Sequence, residues 1–531
     1  MYWIMTGKLQ TGLTLFNAAR FFDAHEALED LWREAPRHSQ LRRHLQGLVQ
    51  VAVAFHHQSI GNRAGAQSVL ARALGNLQGA EESFPALDFA QLRVDLHAWL
   101  RFLASGGAGF TVPELPTIRQ KITPRDEARA ELCLLESADV KLNSSPARTA
   151  TPDSVPLLDL RRQYGTIRDD VLAAIARVCD SQSFILGPEV EALEREISAL
   201  TGAAAAVACA SGTEALWLAL VAAGVQPGDS VITTAFSFFA SASAIVRAGA
   251  APIFIDVDPG TINLDPALVE QRLRIQPKEK ISAILPVHLY GQCADMDRFA
   301  RIAAEFSVAI VEDAAQAIGA EWRGRPAGSL GEAAAFSFYP TKNLSAYGDA
   351  GMVTTTHPEM AEHMRRLRNH GSPRRYYHDE FGWNGRMDAI QAAVLRVKLR
   401  HLANWNEARR QHAATYDRLF AEAGLSSPAT NPPARPLARS SQAKHVFHQY
   451  VIRAERRDDL RKFLTGRDIG TEIYYPLPLH LQPVFTYLGL KAGDLRVAEQ
   501  AAQEVLALPM FPELTEPEIR WVVESIAAFY S

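Results

Sequence analysis

From residue 155 onward the chain alternates short apolar runs with longer helical stretches, and that alternation limits its fold more than any other feature. The runs fall at 204–210, 230–234, 251–257, 281–287, 307–312, 333–338 and 351–355. They lack the polar alternate positions of a strand with one wet face. Runs of this kind, buried on both faces and joined by helices, build a mostly parallel sheet between helical layers.

The remainder has a different texture. Residues 10–104 read as wholly helical, with Leu41, Leu45, Leu48, Val49, Ala52 and Phe55 at three- and four-residue spacing. Residues 105–154 read as a joint, opening Ser105-Gly106-Gly107 and closing in a Ser/Pro/Thr tail, with a helix expected around 125–135. A long helical stretch is expected over 390–420, then a Pro-rich loop at 426–439 and a smaller α+β region from 445. The expected organisation is an all-α domain (1–110), a linker (111–154), a large α/β domain (155–400) and a small α+β domain (401–531).

A net charge of −4 over 531 residues excludes nucleic acid and anionic membrane as expected partners. Cys133, Cys179, Cys209 and Cys293 form no metal-binding spacing and read as reduced thiols. No apolar run has transmembrane length, and the opening Met1–Met5 stretch is too short for a signal-peptide core, so a cytoplasmic location is expected.

In open α/β sheets, ligands gather at the carboxyl ends of strands, and the notable residues fall there. Ser211-Gly212-Thr213 follows the first run and opens a helix, where free amides and the dipole favour a phosphate. Phe238 follows the second run and can stack on a planar ring. Asp313, with Gln316 beyond it, follows the fifth; a buried carboxylate there needs a cationic partner. Ser337 and Lys342 close the sixth, and Asn384 lies in Gly382-Trp383-Asn384-Gly385-Arg386-Met387-Asp388 before a helix. A strand-end Asp and a strand-end Lys suit pyridoxal phosphate: the amine forms a Schiff base and the carboxylate keeps the pyridine nitrogen protonated.

Ordered blocks carry a resemblance. They include Leu157–Leu160, Ile185–Val190, Val287–Gln292, Glu312–Ala317, Pro340–Leu344, Asn384–Asp388 and Tyr475–Gln482. Over about 155–531 the chain resembles the DegT/StrS family of sugar aminotransferases, within the fold-type I pyridoxal phosphate enzymes. The resemblance implies a mostly parallel seven-stranded sheet with a small C-terminal domain. It implies Lys342 as the aldimine lysine, Asp313 on the pyridine nitrogen, Gln316 on the ring hydroxyl and Phe238 on the ring face. Gly212, Thr213 and Ser337 would hold the phosphate, and Asn384 would reach the phosphate of the neighbouring subunit of a homodimer. It implies L-glutamate as donor and a nucleotide-linked 3- or 4-keto-deoxysugar as acceptor. The runs Arg374–His378 and Tyr475–His480 either contact the sugar and diphosphate or form a solvated basic loop, and Tyr290, Arg375, Tyr475 and His480 are the candidate substrate contacts. A cyclitol or aminobenzoate-pathway ketone, or a regulatory role for the cofactor fold, are the alternatives. Lys342 stands where some relatives carry His and act as dehydratases, which favours transamination. Ala350 stands where the family usually has Gly, and fits if its φ is negative.

Residues 12–80 resemble domain of unknown function 309, which brings a fold and no chemistry. His25 and Glu29 share a helix face there. With Glu26 and His56 or His57 they form either a metal or acid/base site or a His–Glu packing network, the latter preferred.

Overall fold

The structure is a computed structural model, and it describes residues 2–35, 39–59, 61–84, 87–105, 112–113, 115–118, 152, 154–275, 279–425 and 432–531. The expected helix at 125–135 and most of the expected linker lie outside these. The chain divides into two compact units, up to residue 146 and from 147 onward.

The first unit is helical, with helices Tyr2–Asn17, Phe21–Glu34, Gln40–Ser59, Arg63–Asn76, Ala80–Ser83 and Phe89–Ala104. Two of them start on side-chain caps: Asn62 accepts from Gly65 N at 3.0 Å and Asp88 from Gln91 N at 3.1 Å. The core is aromatic at its centre, with Phe55 meeting Phe16, Phe21 and Trp99 at ring-centroid distances of 5.2–5.9 Å.

The second unit is built on the sheet. Its first nine strands are β1 (Ala205–Cys209), β2 (Ser230–Thr234), β3 (Ala251–Ile255), β4 (Ile281–Leu285), β5 (Ala309–Asp313), β6 (Glu321–Trp322), β7 (Arg325–Pro326), β8 (Ala333–Ser337) and β9 (Gly351–Thr355). Seven of these form one sheet in the order β1-β9-β8-β5-β4-β2-β3. Only β9 runs against its neighbours. All seven expected strands form, because each is covered on both faces. Ile232, Ile284, Ile310 and Phe336 pack into one core and Val231, Leu285, Val311 and Val353 into the other. The β5 end is fixed by Glu312, which accepts from the amides of Gly328, Leu330 and Gly331 at 2.7–3.0 Å and faces His288 Nε2 at 3.0 Å. Ala294 N donates to His288 Nδ1, so the ring proton sits on Nε2 and points at Glu312.

The helical stretch expected over 390–420 is two helices, Ala389–Leu399 and Leu402–Glu422, broken at Arg400-His401. No Gly or Pro marks this break, so residue type could not reveal it. Beyond it, β10 (Ala434–Pro436), β12 (Tyr450–Ala454) and β13 (Val505–Leu508) pair antiparallel over a core with Tyr416, Phe420 and Phe511, while β11 (Ala443–Lys444) joins β6 and β7. Among the described residues no helix is long and apolar enough to cross a membrane.

Candidate active site

The carboxyl ends of β1, β2, β5 and β8 bring the singled-out residues together. Asp313, the last residue of β5, is 4% exposed. Burial pushes its carboxyl above the ordinary range, while hydrogen bonds and the nearby Lys342 charge pull it back. Its Oδ2 accepts from Ser241 Oγ at 2.7 Å and its Oδ1 from Ala315 N at 3.2 Å. Ser241 Oγ also lies 2.9 Å from Ser237 Oγ; with its own proton spent on Asp313, Ser241 accepts there.

Lys342 lies in the turn after β8, its N bonded to Tyr339 O at 2.9 Å. Desolvation lowers its amine to about 8, with Asp313 opposing the shift. An amine with that pKa is available as a nucleophile and proton carrier near neutral pH.

Gln316 is locked by two partners. Its Oε1 accepts from Tyr290 N at 2.6 Å and its Nε2 donates to the Tyr475 hydroxyl at 3.1 Å. Tyr475 also lies beside the Phe238 ring, centroids 6.2 Å apart. Phe238 is 58% exposed, so one ring face is open to a ligand.

The start of helix Gly212–Ala222 lies hard against β8. A Cβ on Gly212 would stand 2.6 Å from Ser337 Cβ, so only glycine allows this approach. Ser211 caps the helix through Glu214 N at 3.1 Å, and the first helical bond runs from Ala215 N to Ser211 O. The amides of Gly212 and Thr213 therefore stand outside the helical ladder beside Ser337. Ala350 has no positive φ, so its Cβ meets no left-handed backbone strain.

The other predicted residues are placed differently. Asn384 is exposed, on a loop whose Gly385 O accepts from Ala210 N at 2.9 Å at the end of β1. Arg375 is exposed and lies over the Tyr376 ring at 5.0 Å. Tyr290 is buried, its hydroxyl donating to Tyr474 O. His480 is buried and pairs with Glu499 at 3.1 Å. In the helical unit His25 Nε2 meets Glu29 at 3.3 Å, both about a quarter exposed, and His56 instead lies against the Phe22 ring at 5.4 Å. No group of three His, Cys, Asp or Glu side chains able to hold a metal occurs among the described residues. Ser241 was not legible in the sequence; its only signal is a serine one helical turn beyond Phe238.

A buried carboxylate wanting a cationic partner, an amine near pKa 8 and an anion cradle of free amides fit pyridoxal phosphate. Together with the seven-stranded sheet they define a fold-type I pyridoxal phosphate enzyme. The chain belongs to the DegT/DnrJ/EryC1/StrS aminotransferase family, whose model matches residues 166–527. It is thus a pyridoxal phosphate-dependent aminotransferase. Residues 9–69 match the domain of unknown function DUF309. The chain is 52% identical over 377 residues to the pleiotropic regulatory protein of Geobacillus stearothermophilus, covering 71% of this chain and 99% of that protein. It is 43% identical to UDP-N-acetyl-3-dehydro-alpha-D-glucosamine 3-aminotransferase of Acidithiobacillus ferrooxidans, covering 69% and 95%. Streptomyces venezuelae DesV, solved in complex with a ketimine intermediate, matches with a TM-score of 0.67 and 42% identity, covering 71% of this chain and 98% of DesV.

Proposed function

We propose that this enzyme transfers an amino group from L-glutamate to the ketone of a nucleotide-linked sugar, a 3-keto sugar being the first candidate. The observation that carries the reading is the Lys342 amine, lowered to about 8 and within the field of buried Asp313. The 3-keto position draws on the substrate in the name of the Acidithiobacillus relative.

When bound, pyridoxal phosphate supplies an aldehyde carbon for the amine and a ring that accepts the electron pair left at the donor carbon. Asp313 would keep the ring nitrogen protonated, with Ser241 steadying its charge. Gln316, fixed by Tyr290 N and Tyr475, would face the ring hydroxyl, and Phe238 would cover the ring. The Gly212 and Thr213 amides and Ser337 would hold the phosphate. Lys342 Nζ would take the proton from the donor Cα and deliver it to the cofactor carbon on the other side of the amine nitrogen, then reverse the path with the keto sugar.

Asn384 would complete the phosphate site of a neighbouring subunit in a homodimer. Its exposure, with Trp383 54% and Phe381 95% exposed beside it, suits a face that a second copy covers. Tyr475 is the substrate contact best supported, since it already borders Phe238 and Gln316. Tyr290 and His480 would act through backbone and Glu499 partners, and Arg375 would reach a diphosphate from its loop.

A regulatory role is the second reading, favoured by the name of the Geobacillus relative. A pure sensor has no need of a lysine poised for proton transfer. The test is turnover with glutamate and a nucleotide-linked 3-keto sugar, alongside Lys342→Ala. Loss of turnover and of the visible cofactor band in the variant supports the reading; a variant that still transaminates sinks it.

A further inference from the structure

The turn that carries Lys342 is held by side chains more than by its own backbone. Between β8 and β9 its backbone bonds include Lys342 N to Tyr339 O, Ala346 N to Phe338 O and Phe338 N to Ala350 O, at 2.8–2.9 Å. On one side it borders a cavity of about 450 Å³, with Pro340, Ala346 and Tyr347 facing Tyr164 and Ile175 of helix Leu160–Ser181. Packing on that side is therefore sparse, and polar contacts must fix the turn.

Helix Ala389–Leu399 provides two of them. Gln391 Oε1 accepts from Tyr347 N at 2.8 Å. Lys398 Nζ donates to Ser345 O at 2.9 Å and to Ser345 Oγ at 2.7 Å. The two side chains are seven residues, two turns, apart and so share one helix face. On the other flank Asn343 Nδ2 donates to Asn406 Oδ1 at 2.8 Å and to Val446 O at 3.1 Å, and its Oδ1 accepts from His448 Nδ1 at 3.2 Å. All of these contacts fall within the five residues that follow Lys342.

Lys398 is only 2% exposed, and burial lowers its amine to about 8. Its partners among the described residues are Ser345 and the Tyr347 ring, none of them a carboxylate. A methionine would fill the same space without the desolvation cost, so packing alone does not account for a lysine here. In its charged form the amine has three N–H bonds: Ser345 O and Oγ take two, and Nζ also lies 4.8 Å from the Tyr347 ring centroid, on the same turn.

We infer that Lys398, assisted by Gln391, is a positioning residue for Lys342: it pins Ser345, three residues past the lysine, and so holds the amine at the carboxyl end of β5 near Asp313. The inference rests on Lys342 being the cofactor lysine. It makes helix Ala389–Leu399 a direct link between the Asn384 loop, which runs into it, and the reacting amine.

The test compares full-length wild type, Lys398→Met and Ser345→Ala, each loaded with pyridoxal phosphate. The visible absorbance band is titrated against pH, kcat and KM for glutamate are measured, and thermal unfolding is recorded. In Lys398→Met the band midpoint is expected to move by about half a unit. Its kcat should fall about tenfold with KM held within about twofold, the mark of a misplaced reacting group. Ser345→Ala, which removes one acceptor only, should move midpoint and kcat in the same direction by less, and it carries the test if Lys398→Met does not fold. A midpoint and kcat at wild-type values in the folded variants overturn the inference, whether or not the melting temperature drops. A wild type with no titrating lysine-linked band would instead overturn the assignment of Lys342 itself.

Discussion

Ser241 Oγ donates to Asp313 Oδ2 at 2.7 Å, one of two hydrogen bonds that keep a carboxylate charged at a site where burial opposes the charge. A hydrogen bond to a charged group contributes about 1.5–3 kcal/mol. Ser241→Ala should therefore raise the Asp313 pKa further and weaken the hold on the pyridinium nitrogen. Pyridoxal phosphate affinity should fall about tenfold or more at neutral pH. Titration of the cofactor-free proteins checks this, and equal dissociation constants would show that Ser241 does not act on the cofactor.

The contact between Gly212 and Ser337 leads to a different kind of loss. An alanine Cβ at 212 would lie 2.6 Å from Ser337 Cβ and 3.1 Å from Ser337 Cα. The helix start must then back away from β8, which costs about 1–3 kcal/mol as overpacking and displaces the amide pair. Gly212→Ala should weaken pyridoxal phosphate about tenfold or more while pyridoxal, which lacks the phosphate, binds to both proteins alike. A parallel loss for pyridoxal would assign the effect to general distortion.

What the sequence revealed and what it hid follow from range. The seven strands were legible because a strand covered on both faces is a local apolar run; β1, β2 and β9 are buried along nearly their whole length. Asp313, Gln316, Ser337 and Lys342 were legible because each sits at a strand end, where position in the chain already implies position in the fold. Ser241 was not, since its partner lies 72 residues away and a serine in a run of alanines and serines carries no pattern. Lys398 was hidden for the same reason: a lysine in an amphipathic helix ordinarily faces water, and only its partner, 53 residues upstream, shows otherwise. Gln316 was legible as a residue, but its contact with Tyr475, 159 residues on, was not.

In the helical unit, His25 and Glu29 form a partly exposed pair, and Arg33 Nη2 shares Glu29 at 2.9 Å. Exposed pairs on one helix contribute about 0–1 kcal/mol. Glu29→Ala should thus lower the melting temperature of the full chain only slightly. Elemental analysis of wild type and variant should give the same metal content. A stoichiometric metal present in wild type and lost in the variant would restore the metal-site reading that the present geometry does not favour.

Lys342 also sets a pH dependence of stability in the cofactor-free protein. Its amine titrates near 10.5 when unfolded and near 8 when folded, because burial disfavours the charged form. Between those values the unfolded chain binds more protons, so stability rises with pH across that window and is depressed below it. The full penalty at pH 7 is on the order of 3 kcal/mol. Removing the lysine also removes a cation that steadies Asp313, which offsets part of the gain. Cofactor-free Lys342→Met should therefore be about 2 kcal/mol more stable than wild type at pH 7, with the gap closing as pH approaches 10.5. Urea unfolding of both proteins at pH 7 and pH 10 measures it. A variant less stable than wild type at pH 7, or a gap that does not shrink with pH, would mean that burial does not lower the Lys342 amine in the folded chain and that it is not poised for proton transfer.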